Sequence, residues 1–259
     1  MVKLPVPQLI VSLGGLILGG CQLLPQTRQL RVSAASSLRT VLQTLEPEFE
    51  KAYPQVDLTF NFAASGVLQR QIEQGAPVDV FFSAAPQPIN RLLEQQLITQ
   101  DSHRSVVTNQ LALIVPEQSQ MSLTGFQQLT SPQVKKIMVG ERASVPAGQY
   151  AQEVFTTLDL SQQLQAKLIF TNNVRGVLAA VASANVDAGI VYATDVRQSD
   201  QVKQVALAPA QSHSPIVYPI AIVAASSQPQ VAQSFIDFLS TPEAQDRFIQ
   251  AGFGLVPKD

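Results

Sequence analysis

The sequence predicts an α/β protein of two Rossmann-like lobes joined by two crossing strands. Three observations carry that prediction. A strand or loop that ends in small or polar residues and opens a helix recurs at Ser36-Ser37, Ala64-Ser65-Gly66, Pro146-Ala147-Gly148 and Asn173-Val174. With a strand before and after, this is the unit of a parallel α/β sheet. The first two junctions precede the apolar run Thr108–Pro116 and the other two follow it, while PIVYPIAIVAA, within Ser214–Ala225, offers a return path. Finally, 259 residues are enough for two lobes.

In order along the chain, Lys3 precedes an apolar stretch, Leu9–Leu18, and then Gly19, Gly20 and Cys21. A basic start, a short apolar segment and small residues read as a secretory signal over residues 1–21, too short for a membrane span. Leu18-Gly19-Gly20-Cys21 resembles the bacterial lipobox, in which cleavage leaves the cysteine lipidated. Cys21 is the sole cysteine, so no internal disulfide can form. Residues 22–29 read as a tether. A strand over Arg31–Ala34 runs into Ser36-Ser37 and a helix with Leu38, Val41, Leu42, Leu45 and Phe49 on one face, ended by Pro54.

The most informative stretch is Asn61–Ala84. A strand over Val56–Phe62 turns at Ala63-Ala64-Ser65-Gly66 into a helix carrying Val67, Leu68 and Ile72. Gly75 and Pro77 stop it, and a strand over Val78–Ser83 follows. At such a helix start the Ser65 and Gly66 N–H groups have no intrahelical partner. With the positive helix end and the Ser65 hydroxyl they make a site for an anion. Beyond it come a helix over Ile89–Leu97, the crossing strand Thr108–Pro116 and a short helix over Gly125–Leu129. Strands are expected at Lys136–Gly140, Leu168–Phe170 and Ala188–Tyr192, and helices at Tyr150–Leu158, Arg175–Asn185, Gln230–Leu239 and Pro242–Gln250. The resulting division is lobe I over 30–111 and 217–259, and lobe II over 112–216. Helix starts in both lobes suggest a ligand held between them.

Composition narrows the function. Charged residues are 14% of the chain and the net charge is −2, which argues against a nucleic-acid binder with its basic face. There is no Trp, so no stacking platform for bases is evident.

Five segments together resemble the periplasmic molybdate-binding proteins of bacterial ABC importers: AASSL (34–38), FAASGVLQRQIEQGAPVDVFFSA (62–84), SVPAGQYAQEVF (144–155), NNVRGVLAAV (172–181) and DAGIVYATD (187–195). The resemblance extends from about Leu30 to the end. It implies the type II periplasmic binding protein fold, closing like a hinge around an oxyanion. It also implies that Ser37 and Ser65 bind the anion by their hydroxyls, Ala147 and Val174 by backbone N–H groups, and Tyr192 by its phenol. The metal is then held through its oxygens by these same residues, with no cofactor and no catalysis. The implied partner is a membrane permease, and the chain is expected to be an extracytoplasmic monomer held at the membrane by a lipid on Cys21. Two departures stand out: Ala84-Ala85-Pro86 lacks an aspartate frequent after this strand, and Ala64 replaces a serine frequent in the loop.

These residue types suit a fully deprotonated tetrahedral dianion, whose oxygens only accept hydrogen bonds. The five motif turns contain no Asp or Glu to receive the proton that phosphate retains. Sulfate is also acceptor-only, so only cavity size can reject it, and tungstate should bind with molybdate. The alternative is the same role for sulfate, thiosulfate or a small organic anion. A serine hydrolase built on Ser37 or Ser65 lacks a G-x-S-x-G elbow, and His103 and His213 are isolated. A regulator's sensing domain fits poorly with an export signal and no helix-turn-helix. Taken alone, Ser37, Ser65 and Asn173 read as helix caps and Tyr192 as a core residue. Asp187 and Asp195 read as turn or capping residues, and Arg175 as a partner for a carboxylate.

Overall fold

A computed structural model describes residues 1–2 and 27–256. The apolar signal segment, Cys21 with its lipobox and residues 22–26 of the tether lie outside the described residues.

The first part of the chain forms β1 (Arg28–Ala35), α1 (Arg39–Ala52), β2 (Val56–Ala63), α2 (Ser65–Glu73), β3 (Val80–Phe82), α3 (Pro86–Glu94) and β4 (Arg104–Thr108). A second series follows: β5 (Leu111–Pro116), β6 (Ile137–Gly140), α4 (Pro146–Thr157), α5 (Ser161–Leu164), β7 (Leu168–Thr171), α6 (Val174–Ala182), β8 (Ala188–Tyr192), α7 (Ala193–Val196) and β9 (Val202–Leu207). The chain closes with β10 (Val217–Ile222), α8 (Pro229–Phe238), α9 (Pro242–Gln250) and β11 (Gly254–Leu255).

The strands make two sheets, ordered β11-β4-β10-β3-β1-β2 and β7-β6-β8-β5-β9. In the first, β1 is parallel to both β2 and β3, and β10 is antiparallel to β3 and β4. In the second, β6 is parallel to β7 and β8, and β5 is antiparallel to β8 and β9. Parallel strands are covered on both faces and so read as continuous apolar runs. β3 shows this: Val80 and Phe82 belong to the buried cluster that contains Leu42, Phe49 and Ile236, while Phe81, between them, belongs to a separate one with Leu68, Ile72, Ile89 and Leu92 of α2 and α3. Phe49 and Phe235 meet edge-to-face at 5.2 Å, a favoured aromatic geometry that locks α1 against α8.

Two expectations need correcting. Thr108–Pro116 is not one strand. β4 ends at Thr108, Asn109 and Gln110 cross, and β5 starts at Leu111 in the other sheet. The crossings lie side by side, since Asn109 N–H donates to Ile216 O at 3.1 Å and Ala208 N–H to Leu111 O at 2.8 Å. The first strand also starts at Arg28, inside the expected tether, because Arg28–Leu30 pair in register with Val56–Leu58. β4 up to Thr108, β9, β11 and the short α5 and α7 have no counterpart in the sequence reading.

Candidate functional site

Ligands of open α/β sheets collect beyond the carboxyl ends of parallel strands. Those ends face one another here. β1 leads into Ser36-Ser37, β2 into Ala64-Ser65, β3 into Ala84, β6 toward Val145–Ala147, β7 toward Val174, and β8 ends on Tyr192. All these residues, with Ala35, Ala63 and Pro146, line one hollow between the sheets. It holds about 190 Å³ of space between atoms, part of it open to solvent. Ser37, Ser65, Ala147, Val174 and Tyr192 are thus brought together. The lining contains no Asp, Glu, Lys, Arg or His.

Each donor has a local reason to point inward. Ser65 is fully buried, and its Oγ accepts the Ala84 N–H at 2.9 Å, which leaves its proton to donate. It does not cap α2: Ala64 holds the N-cap position, without a side-chain cap. Ser37 lies in a 3-10 turn over Ser36–Leu38, and its Oγ is 3.0 Å from Tyr218 Oη. Pro146 begins α4 and has no N–H, so Ala147 offers that helix's first amide. Packing fixes this end of α4, since a Cβ on Gly148 would sit 2.0 Å from Gly140 O. Val174 is the first residue of α6, whose N-cap Asn173 accepts Gly176 N–H at 2.9 Å. Capping is therefore Asn173's role, as expected. Among the described residues neither Ala147 N–H nor Val174 N–H has a backbone partner outside its helix, and none exists inside it at these positions.

Tyr192 is 1% exposed, and its Oη has no hydrogen-bond partner among the described residues. A buried hydroxyl left unpaired costs about 1–3 kcal/mol. Burial, with the neighbouring Tyr218, holds its pKa well above the ordinary phenol value, so it is a donor at neutral pH.

The family model for bacterial extracellular solute-binding proteins matches residues 30–254. The chain belongs to that family. This solute-binding protein is 36% identical over 228 residues to the molybdate-binding protein ModA of Haemophilus influenzae, covering 87% of this chain and 89% of that one. It is 38% identical over 224 residues to YvgL of Bacillus subtilis, provisionally named an ABC transporter substrate-binding lipoprotein, with 86% and 85% covered. Among solved structures, the substrate-binding domain of a provisionally named molybdenum ABC transporter from Clostridium difficile is 42% identical, with TM-score 0.69 over 88% of this chain and 99% of that one. The two-lobed α/β architecture is that of the periplasmic binding proteins. The family is extracytoplasmic, and these relatives are solute-binding proteins by name, not enzymes.

In this solute-binding protein several contacts cross from one lobe to the other. Gly66 N–H donates to Ser144 O at 3.0 Å. That corrects the expectation that this amide is free for an anion: it ties the lobes together. A Cβ on Gly66 would lie 2.8 Å from Ser144 Cα and O, so only glycine permits the approach. Arg175 does not hydrogen-bond a carboxylate. Its Nε donates to Ser36 O at 3.1 Å and its Nη2 to Thr40 Oγ1 at 2.8 Å, and Thr40 in turn donates to Gln198 Oε1 at 2.7 Å. Asp195 is buried and accepts Tyr192 N–H at 3.1 Å, the capping role expected of it. Burial raises its pKa to about 7, against the opposing pull of that N–H and of Arg175. Asp187 accepts the N–H groups of Lys135 and Lys136 at 2.7 and 2.8 Å, a turn role.

The sequence reading missed Tyr218 and Asn109. Tyr218 sits in an apolar run whose pattern signals only a strand, and Asn109 in a stretch read as continuous. Neither histidine lines the hollow.

Proposed function

We propose that this protein captures molybdate, and tungstate with it, between its lobes and delivers it to an ABC permease. Lobe I comprises residues 30–111 and 217–259, and lobe II residues 112–216. The carrying observation is the buried Tyr192 hydroxyl, unpaired among the described residues, in a hollow whose lining contains no carboxylate. Ser37 and Ser65 would bind from lobe I, and Ala147, Val174 and Tyr192 from lobe II. Hydrogen bonds to a charged group contribute about 1.5–3 kcal/mol each, so five sum to about 7.5–15 kcal/mol, against the roughly 8 kcal/mol of micromolar binding. The surplus offsets desolvation and ordering. Both sets of contacts exist only when the lobes are shut, so the anion selects that form, and the permease reads its surface. The names of the similar proteins support molybdate as the ligand.

On this reading the chain is a monomer that does nothing chemical to its ligand, needs no cofactor and is held at the membrane by a lipid on Cys21. Isothermal titration calorimetry tests it. Molybdate and tungstate should bind one per chain, with sulfate and phosphate far weaker. Equal affinity for sulfate would overturn the specificity, and no heat with molybdate would overturn the function.

A further inference from the structure

The anion-facing serines have one proton each, and the direction of that proton decides what they can bind. Ser65 is committed, because its oxygen already accepts from Ala84 N–H. For Ser37 the answer comes from three residues deeper in the protein. Asn109 Oδ1 accepts Gln110 N–H at 2.9 Å, which fixes the orientation of the Asn109 amide. Asn109 Nδ2 then donates both to Thr194 Oγ1 at 2.9 Å and to Tyr218 Oη at 3.2 Å. Tyr218 is fully buried, and Ser37 Oγ stands 3.0 Å from its hydroxyl.

With Asn109 donating to it, Tyr218 Oη has its proton left to place; the Tyr192 ring packs beside it at 5.7 Å but its Oη makes no hydrogen bond, so among the described residues Ser37 Oγ, at 3.0 Å, is the acceptor within hydrogen-bond distance. If Ser37 donated instead, Tyr218 would accept twice and bury its own proton unpaired, which is disfavoured. The protons therefore run Asn109 to Tyr218 to Ser37, and the Ser37 proton is left for the hollow. We infer that Tyr218 and Asn109 are positioning residues that commit Ser37 to donation and so select against oxyanions that carry a proton. Asn109 lies in the crossing between sheets, with Thr194 beyond β8 and Tyr218 in β10 as its partners. The three members of the relay belong to lobe I, and only the side contact to Thr194 reaches the other lobe.

The inference rests on the proposed oxyanion site, and Tyr218→Phe tests it separately. Calorimetry gives the molybdate affinity, and displacement of molybdate gives that of hydrogen phosphate at neutral pH. In Tyr218→Phe molybdate should weaken about tenfold, the scale of one hydrogen bond. Hydrogen phosphate should hold or tighten, because a freed Ser37 can accept its proton. Asn109→Ala, which leaves the Tyr218 ring in place, should shift the same ratio by a smaller factor. Thermal unfolding without ligand establishes that each variant is folded; should Tyr218→Phe not fold, Asn109→Ala carries the test. Unchanged molybdate affinity in the variants overturns the relay. So does phosphate that weakens in step with molybdate, or that competes with neither protein. Wild-type protein that fails to bind molybdate overturns the site itself, a distinct result.

Discussion

Asp195 shows how one buried side chain gives the protein a pH dependence. Its folded pKa of about 7 lies above the ordinary 3.8, because burial penalises the carboxylate more than Tyr192 N–H and Arg175 favour it. The native state then holds the proton more tightly than the unfolded chain does. Its stabilising contribution is full below about pH 4 and is lost as pH rises through about 7. Asp195→Asn keeps an acceptor for Tyr192 N–H without the charge. Thermal unfolding of the wild type should weaken from about pH 5 to about pH 8 relative to the variant; parallel profiles would show that Asp195 does not titrate there. At this scale the sequence pointed to the Ser37, Ser65 and Tyr192 hydroxyls through motifs around side chains with donors of their own, and the structure brings all three to one hollow. Ala147 and Val174 have no side-chain signal: what each offers there is a peptide N–H at a helix start, which only the resemblance singled out. Tyr218 was hidden by the apolar run that makes it a strand residue.

At the scale of elements, the start of α2 does two jobs. Ser65 turns into the hollow, and Gly66 brings the helix end against Ser144 of the other lobe. Alanine in a helix is ordinarily better than glycine by about 1 kcal/mol. Here its methyl would meet the Ser144 backbone of the other lobe at 2.8 Å, a clash that parting of the lobes would relieve. Gly66→Ala should leave the unfolding midpoint of the ligand-free protein level or slightly higher. It should also abolish the molybdate-induced rise, which corresponds to about 2.7 kcal/mol at one hundred times Kd in the wild type. A wild-type rise would show that the seam tolerates the methyl. The four strand-to-helix junctions were readable because small residues interrupt apolar runs there. β4 and β9 were not: RSVVT and VKQVAL interleave charged or polar residues with short apolar ones and are held by pairing with distant strands.

At the scale of the whole molecule, the switch from one sheet to the other was readable from where junctions fall relative to two apolar runs. What holds the shut form was not, because it depends on residues far apart in sequence. Arg175 was expected to serve its own helix, yet it reaches Ser36 and Thr40 of the other lobe. Arg175→Met keeps the stem and removes the donors. Molybdate affinity should fall about five- to tenfold, near 1–1.4 kcal/mol, with the unfolding midpoint of the ligand-free protein unchanged; wild-type affinity would mean the latch carries no weight. The lining of the hollow sets one further property. It is drawn from both lobes, Ser37 and Ser65 on one side and Ala147, Val174 and Tyr192 on the other, so cargo seated there touches both. Escape must wait for the jaws to part, so residence time follows how often they open, and an importer that prises them apart governs the moment of unloading.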